Sequence, residues 1–173
     1  VPFYTYVLST DEYGKVDLVT TTVQLLIPIL TINIQDAVLR FSLDEKYQKE
    51  DVVAVGFQTI CLSTIVISFG LFVLKFFGII TLEVNYILFL YVSFIVGAIN
   101  NNLSMYIKAK NQVRVLAVWG ITNTIITCIC NLFLLLVLKI GVNGYMIAYV
   151  SGTFVADIGM FLSGNVLCDL KKS

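Results

Sequence analysis

The stretch from Asp17 to Arg40 constrains the fold more than any other part of the chain. Its sequence, DLVTTTVQLLIPILTINIQDAVLR, is long enough to cross a bilayer, because a spanning helix needs about 20 residues. On a helix with about 100° per residue, six residues of this stretch fall within about 40° of one line. They are Asp17, Thr21, Gln24, Pro28, Thr31 and Gln35. The stretch therefore predicts a spanning helix with one polar stripe, and Pro28 predicts a kink in mid-span because proline removes a backbone donor.

Two interpretations of the polar stripe stay open. Hydrocarbon cannot satisfy polar groups, so the stripe should face either protein or a water-filled cavity. A kinked helix with such a stripe is typical of the wall of a transporter. The alternative is a helix packed inside a bundle, with its amides hydrogen-bonded to neighbouring helices.

The composition indicates a membrane protein. Hydrophobic residues make up 58% of the 173 residues and charged residues only 13%, whereas soluble domains are about 25% charged. The formal net charge of zero gives no reason to expect nucleic acid as a partner. The chain opens on Val1 with no basic segment ahead of an apolar run, so it shows no signal peptide, and we expect it to be a fragment.

The apolar runs predict an all-α fold, a polytopic transmembrane helix bundle with five spans. The predicted spans are 17–40, 52–74, 84–107, 115–138 and 145–167. An aromatic, turn-rich lead-in, Val1–Gly14, precedes them. All the connections are short, so consecutive helices should be antiparallel neighbours.

The basic residues predict the orientation, because cytoplasmic loops carry an excess of Lys and Arg. Eight lie on one side of the predicted membrane: Arg40, Lys46, Lys49, Lys108, Lys110, Arg114, Lys171 and Lys172. Three lie on the other side: Lys15, Lys75 and Lys139. We therefore expect the first group to be cytoplasmic and Val1–Gly14 to be outside, which implies at least one further span ahead of Val1.

Two spans carry stripes of small residues, which let helices approach closely and so predict packing surfaces. The stripe of the second span is Gly56, Thr59, Ser63 and Gly70. The stripe of the fifth span is Ala148, Gly152, Ala156, Gly159 and Ser163.

Neither a metal site nor an enzyme is expected. Histidine, the commonest general base and metal ligand, is absent. Cys128 and Cys130 are two residues apart, so on a helix they point about 200° away from each other and cannot easily share a metal. All four cysteines, Cys61, Cys128, Cys130 and Cys168, are interpreted as small buried hydrophobic residues. An intramembrane enzyme would need a nucleophile with a base, a metal set or paired acids at short range.

Amide side chains distinguish the third and fourth spans. Asn100, Asn101 and Asn102 place three amides in one turn, pointing in three directions. At least one should face lipid unless protein or water surrounds the helix. In the fourth span Asn123 and Thr127 share a face. Such amides either contact sugar or join helices to each other, and both interpretations stay open.

Two acids lie inside the predicted spans. Asp36 stands four residues before Arg40, a spacing that favours an ion pair on a helix. Asp157 has no charged neighbour on its own helix and lies near mid-membrane, where inserting an aspartate costs about 2.5–3.5 kcal/mol. An acid at that depth should be protonated, partnered by another helix or exposed to a cavity. Asp157 is therefore the sharpest functional candidate.

Several short motifs resemble a known family. Glu12-Tyr13-Gly14 precedes a span, AVLRF (Ala37 to Phe41) closes it, and Gly144-Tyr145 opens the last span. With these motifs, the run from Val1 to Phe41 is similar to the first hairpin of bacterial polysaccharide and O-antigen flippases. These belong to the multidrug/oligosaccharidyl-lipid/polysaccharide exporter superfamily. Many members carry arginine where this chain has Lys108. The resemblance implies two six-helix lobes around a central cavity, and this chain would supply about the second to sixth helices of the first lobe.

The resemblance also implies a function. It is the translocation of a lipid-linked oligosaccharide, of the polyprenyl diphosphate type, across the cytoplasmic (inner) membrane for surface polysaccharide biosynthesis. Arg40 or Lys108 near the inner mouth would attract the diphosphate. Asp36 or Asp157 would couple transport to proton or sodium movement. Polysaccharide-assembly proteins are possible partners, and no cofactor is implied. The candidate substrate path is Gln24, Gln35, Arg40, Asn100, Lys108 and Asn123.

Two alternatives remain. A multidrug extruder of the same superfamily would share the fold but would have a more apolar and aromatic cavity. A non-transporting structural membrane subunit would use the polar stripes only to join helices.

Overall fold

A computed structural model describes residues 10–44, 46–78, 83–166 and 170, and every regular element within these ranges is helical. The helices are α1 (Thr10–Leu30), α2 (Ile34–Leu43), α3 (Lys49–Phe76), α4 (Val84–Ala109), α5 (Val113–Leu132) and α6 (Val142–Ser163). A π-helical segment, Phe133–Val137, continues α5. The prediction of an all-α helix bundle is confirmed.

Four helices of the described chain are long and apolar enough to cross a membrane. They are α3, α4, α6, and α5 together with its π-helical segment. α1 and α2 would make a fifth span if the bent pair crosses as one. The chain thus has the architecture of a multi-pass membrane protein.

Residues 17–40 do not form the single helix with a kink at Pro28 that the sequence predicts. The chain breaks between Leu30 and Ile34, and the two helices meet at a bend of 52°. The lead-in also differs from the prediction, since Thr10 to Gly14 form the start of α1 instead of turns. Asp11 and Glu12 favour a helix start there, because negative charge stabilises a helix N-terminus. The rest of the lead-in, residues 1–9, lies outside the described residues.

The break is a helix-ending motif that follows Pro28 instead of a kink at Pro28. The N–H of Asn33 donates to the carbonyl of Pro28 at 2.9 Å, and that of Ile32 donates to Ile29 at 3.3 Å. This pair of bonds is the Schellman pattern, which requires a left-handed residue just past the helix. Ile32 occupies that position with φ 51°, and Asn33 has the same φ. Pro28 itself stays inside α1.

The carbonyls released at the break find partners. The hydroxyl of Ser63, in the middle of α3, donates to the Leu30 carbonyl at 2.8 Å. The Thr31 carbonyl accepts from the N–H of Ile34 at 3.0 Å. These bonds matter because an open backbone group at membrane depth costs several kcal/mol, about 2–7 by transfer measurements. Because these carbonyls have hydrogen-bond partners, a break in the middle of a span can lie inside a membrane.

α4 is the central helix, because it packs against each of the other five. Ile27 of α1 packs against Gly97 of α4, and Val38 of α2 meets Asn102 of α4 at Gly56 of α3. The pair α1–α2 and helix α4 therefore run in the same direction. α5 differs from the rest, since it packs mainly on α6 and leaves most of its apolar surface exposed.

The stripe of α6 is a packing surface, as predicted for the fifth span. Ala148, Gly152, Ala156 and Gly159 are all buried. A Cβ atom on Gly152 would collide with the Thr127 hydroxyl, and one on Gly159 would collide with the ring of Trp119. Ser163, the last member, is exposed and accepts a hydrogen bond from Trp119 Nε1 at 3.1 Å.

The stripe of α3 is a packing surface over only part of its length. Gly56 and Ser63 are buried against neighbouring helices. Gly70 is not part of a seam, because no atom of another described residue would lie within 4 Å of a Cβ added to it. The bundle is simply less closely packed towards this end of α3.

The cysteines are less buried than predicted. Cys61 and Cys128 are exposed, and Cys130 is half-buried. The reason is that α3 and α5 leave wide outer faces that no described helix covers. Cys168 lies outside the described residues.

Candidate functional site

A cleft of about 600 Å³ opens between α1, α4, α5 and α6. Five amide side chains line it: Gln24, Asn100, Asn101, Asn123 and Asn131. Hydroxyl groups are contributed by Thr124, Thr127, Thr153 and Tyr149. These residues lie in the interior of their helices, so the cleft is at the depth at which a membrane would surround the bundle.

Close helix contacts form the walls of the cleft. α1 reaches α4 where Ile27 packs against Gly97, and both residues line the cleft. α5 reaches α6 at Gly152, directly beside Asn123 and Thr127. The Thr127 hydroxyl donates to Asn123 Oδ1 at 3.2 Å. The small residues thus bring polar side chains of different helices to a common space.

Gln24 belongs to the exposed part of the α1 polar stripe. Asp17, Thr21 and Gln24 are exposed on α1, whereas Thr31 is buried at its end. Thr31 does not need a polar neighbour, because its hydroxyl donates to the Ile27 carbonyl at 2.7 Å. The stripe therefore includes an open stretch that leads into the cleft at Gln24.

All three consecutive asparagines of α4 face protein or the cleft. Asn101 lines the cleft, and Asn100 lines it while also contacting α6. Asn102 points the other way and is fully buried against Gly56 and Val38. Neither polar atom of the Asn102 side chain has a hydrogen-bond partner among the described residues. None of the three is left facing lipid alone, because α4 is surrounded by other helices.

Asn100 connects the cleft to Asp157. Its Nδ2 atom donates to Asp157 Oδ1 at 2.6 Å. Asp157 is only 6% exposed and does not line the cleft, whereas Asn100 does. Of the three states expected for an acid at this depth, the structure shows the one in which another helix provides a partner.

Asp36 does not form the predicted ion pair with Arg40. Within the described ranges the structure contains one ion pair, between Lys15 and Asp11. Asp36 accepts a short hydrogen bond from the Asn33 amide instead, and Gln35 donates to Asn33 Oδ1 at 2.8 Å. Asn33 has a left-handed backbone, and its side chain lies next to the first turn of α2. There it binds Asp36, which therefore does not pair with Arg40.

The remaining path candidates do not line the cleft. Gln35 is held by Asn33, and Arg40 and Lys108 are exposed near the ends of α2 and α4. Because these two helices run in the same direction, both cations lie at the same end of the bundle. The Lys108 ammonium contacts the Met105 sulfur at 3.8 Å.

The cleft has no ionised side chain among its lining residues. Its chemistry is that of uncharged donors and acceptors, with one carboxyl group placed behind Asn100. In the ranges that the structure describes, no three His, Cys, Asp or Glu side chains come together as a potential metal site.

Sequence reasoning missed the contribution of α6 to the cleft wall. Tyr149 and Thr153 line it, and Asp157 follows at the same spacing of four residues. On a helix this spacing forms a stripe, adjacent to the stripe of small residues. The signal was present in the sequence. Thr124, on α5, had no comparable signal.

Comparisons of the chain with protein-family models, with curated proteins and with solved structures find no match. Fold and site geometry are therefore the basis for any statement about function.

Proposed function

We propose that the chain forms part of the wall of a transporter that moves a lipid-linked oligosaccharide across the membrane. The observation that supports this proposal is the uncharged cleft lined by amides and hydroxyls. Sugar hydroxyl groups both donate and accept hydrogen bonds, and amides offer both functions at one side chain. In this proposal Gln24, Asn100 and Asn123 contact the sugar.

The charged candidates have separate roles in this proposal. The polyprenyl tail stays in lipid while the sugar crosses through the cleft. Arg40 and Lys108, at one end of the bundle, attract the diphosphate where it enters, since cations pair well with phosphate oxygens. Asp157 and Asp36 remain the groups that would respond to a coupling ion. The chain itself has no catalytic role.

Leucine substitutions in the cleft test the proposal. We expect Gln24→Leu and Asn123→Leu each to reduce the rate at which a fluorescent lipid-linked oligosaccharide reaches the opposite leaflet of vesicles reconstituted with the whole transporter that contains this chain. The reduction should be about 2- to 10-fold, because a neutral hydrogen bond contributes about 0.5–1.5 kcal/mol. Gln58→Leu is the matched control, since Gln58 is exposed on α3 and does not line the cleft. Equal rates in all three variants would contradict the proposal.

A multidrug extruder is the second candidate function, and one observation favours it. The Tyr149 ring lines the cleft, and Asp157 lies behind the cleft wall, hydrogen-bonded to Asn100. An aromatic ring and a carboxylate together would attract an organic cation. Deletion of the gene distinguishes the two functions. Loss of surface polysaccharide with unchanged resistance to tetraphenylphosphonium supports the flippase, and the reverse result supports the extruder. If neither changes, the chain is a structural subunit.

A further inference from the structure

The buried pair of Asn100 and Asp157 does more than join two helices. Asn100 is the only residue that both lines the cleft and hydrogen-bonds to the carboxyl of Asp157 in the described chain. A change in the protonation of the Asp157 carboxyl therefore affects the cleft through the Asn100 amide. An amide is asymmetric, with an acceptor oxygen on one side and a donor nitrogen on the other.

We propose that Asp157 is a positioning residue whose protonation decides which atom of Asn100 faces the cleft. An ionised carboxylate can only accept hydrogen bonds, so it holds the Asn100 nitrogen, as observed at 2.6 Å. The Asn100 oxygen is then the atom available to the cleft. The cleft in this state presents an acceptor at Asn100.

Protonation reverses this arrangement. The proton enters from the aqueous phase, binds Oδ1 of Asp157, the oxygen that Asn100 contacts, and returns to the aqueous phase on release. No other covalent bond is made or broken. The neutral carboxyl has a donor of its own, which Asn100 Oδ1 can accept after the amide turns by about 180°. Its amino group then faces the cleft as a donor. A ligand group that only accepts, such as a glycosidic oxygen or an N-acetyl carbonyl, binds to this second state.

The Asn100 amide responds to Asp157 alone, because no other titratable group of the described chain interacts with this carboxyl. α6 packs against α4 and α5, and more weakly against α1. The titratable groups on these helices include Tyr149 on α6 and Lys108, Lys110 and Arg114 near the ends of α4 and α5. Of these, Lys110 contacts the end of α6, at the Gly164 carbonyl and not at Asp157. Among the described residues none of them interacts with the Asp157 carboxyl, whose partner is Asn100. The amide therefore responds to protonation of Asp157 and not to a neighbouring charge.

Water exchange of the Asn100 amino group tests the inference without any ligand. The whole chain, labelled with nitrogen-15 asparagine, is placed in lipid nanodiscs, and the Asn100 signal is identified by its loss in Asn100→Leu. Its exchange rate is divided by that of Asn111, an exposed side chain in the turn between α4 and α5. The ratio removes the general increase of amide exchange with pH.

We expect this ratio to fall about tenfold or more as the pH rises, because the amino group leaves the cleft and becomes bound to a charged acceptor. In Asp157→Asn the ratio should not depend on pH. A constant ratio in the unmodified chain would overturn the inference, and so would a pH-dependent ratio that persists in Asp157→Asn. If Asn100→Leu does not fold, Asn100→Gln assigns the same signal, because it keeps an amide at this position and removes the labelled asparagine.

The amide reversal rests on the proposed function in one respect only, namely that the ligand of the cleft is a sugar. Binding of maltotriose, as an uncharged probe sugar, is therefore measured separately at the two ends of the pH range. If the exchange ratio changes with pH but no maltotriose binds, the proposed function fails and the amide reversal stands. If maltotriose binds while the ratio stays constant, the proposed function keeps its support and the amide reversal fails.

Discussion

Asn100 and Asn102 lie two residues apart on α4 and have different surroundings. Asn100 donates to Asp157, whereas both polar atoms of the fully buried Asn102 lack a partner in the described chain. A buried polar group without a hydrogen bond costs about 1–3 kcal/mol in proteins. The same residue type therefore stabilises the bundle at one position and destabilises it at the other.

Leucine has a similar shape to asparagine and no polar atoms, so it separates the two cases. We expect Asn102→Leu to leave stability unchanged or to raise it by up to about 3 kcal/mol, because it removes the unpaired amide. Asn100→Leu should lower stability by about 1–3 kcal/mol, because Asp157 loses its partner. Unfolding in a denaturing detergent measures both. If Asn102→Leu is the more destabilising change, Asn102 has a partner that the structure does not show.

Residue 152 must be glycine because α5 and α6 lie very close together at this position. We expect Gly152→Ala to destabilise the chain by about 1–3 kcal/mol, since the added methyl group collides with Thr127 and Asn123. Gly70→Ala is the control, because nothing in the described chain lies within 4 Å of the added atom. The same unfolding assay applies. Equal stability of the two variants would show that α5 can move away from α6 without loss.

At the scale of an element, the break between α1 and α2 is the main irregularity of the bundle. Ile32 is 85% exposed and has a left-handed backbone, which is unusual for a β-branched side chain. Its side chain gains little from burial, while its backbone is strained. The helix-ending hydrogen bonds and the bond from Ser63 maintain this conformation.

Glycine at the break should therefore stabilise the chain. We expect Ile32→Gly to raise the free energy of unfolding by about 0.5–1 kcal/mol, because glycine adopts positive φ without the steric penalty. Ile29→Gly, at an exposed position inside α1, should lower it by about 1 kcal/mol. A loss of stability in both variants would indicate that residue 32 is helical in the membrane.

At the scale of the whole molecule, the common direction of α2 and α4 places their C-terminal ends on one side. The basic residues at these ends, including Arg40 and Lys108, predict that this side is cytoplasmic. The turn before α6 would then be outside. The fold and the charge distribution lead to one topology.

Thiol labelling tests this topology in intact cells, with the native cysteines replaced by alanine. Lys46→Cys should resist a membrane-impermeant reagent until the cells are opened, whereas Asn143→Cys should react at once. Both positions are exposed in the structure, so access depends only on the side of the membrane. Labelling of position 46 but not 143 in intact cells would reverse the orientation.

Hydrophobic run length was sufficient to predict the helices but not their interruption. The four later spans begin and end within a few residues of the predictions, because about 20 apolar residues have few alternatives to a helix. The break at Ile32 had no local signal, since a β-branched residue argues against positive φ. Pro28 indicated an irregularity, but a few residues too early.

The candidate site was predicted in part, for a similar reason. Gln24, Asn100 and Asn123 meet in the cleft because amides on apolar helices must find polar surroundings. The predicted ion pair between Asp36 and Arg40 does not form because Asp36 binds Asn33 instead. Asn33 precedes α2, so residue spacing along the helix does not indicate this contact. Which helix partners Asp157 depends on tertiary packing, and the sequence of α6 alone does not contain that information.

The dependence of α5 on α6 has a consequence for how the chain is made. α5 has few neighbours besides α6, and its Asn123 and Thr127 meet Gly152, which the ribosome adds only later. During synthesis α5 thus reaches the insertion machinery before its partner exists, with amides that the lipid would reject. We expect the two helices to leave the translocon together as a hairpin. Cross-links from α5 to the translocon should persist until residue 152 has emerged.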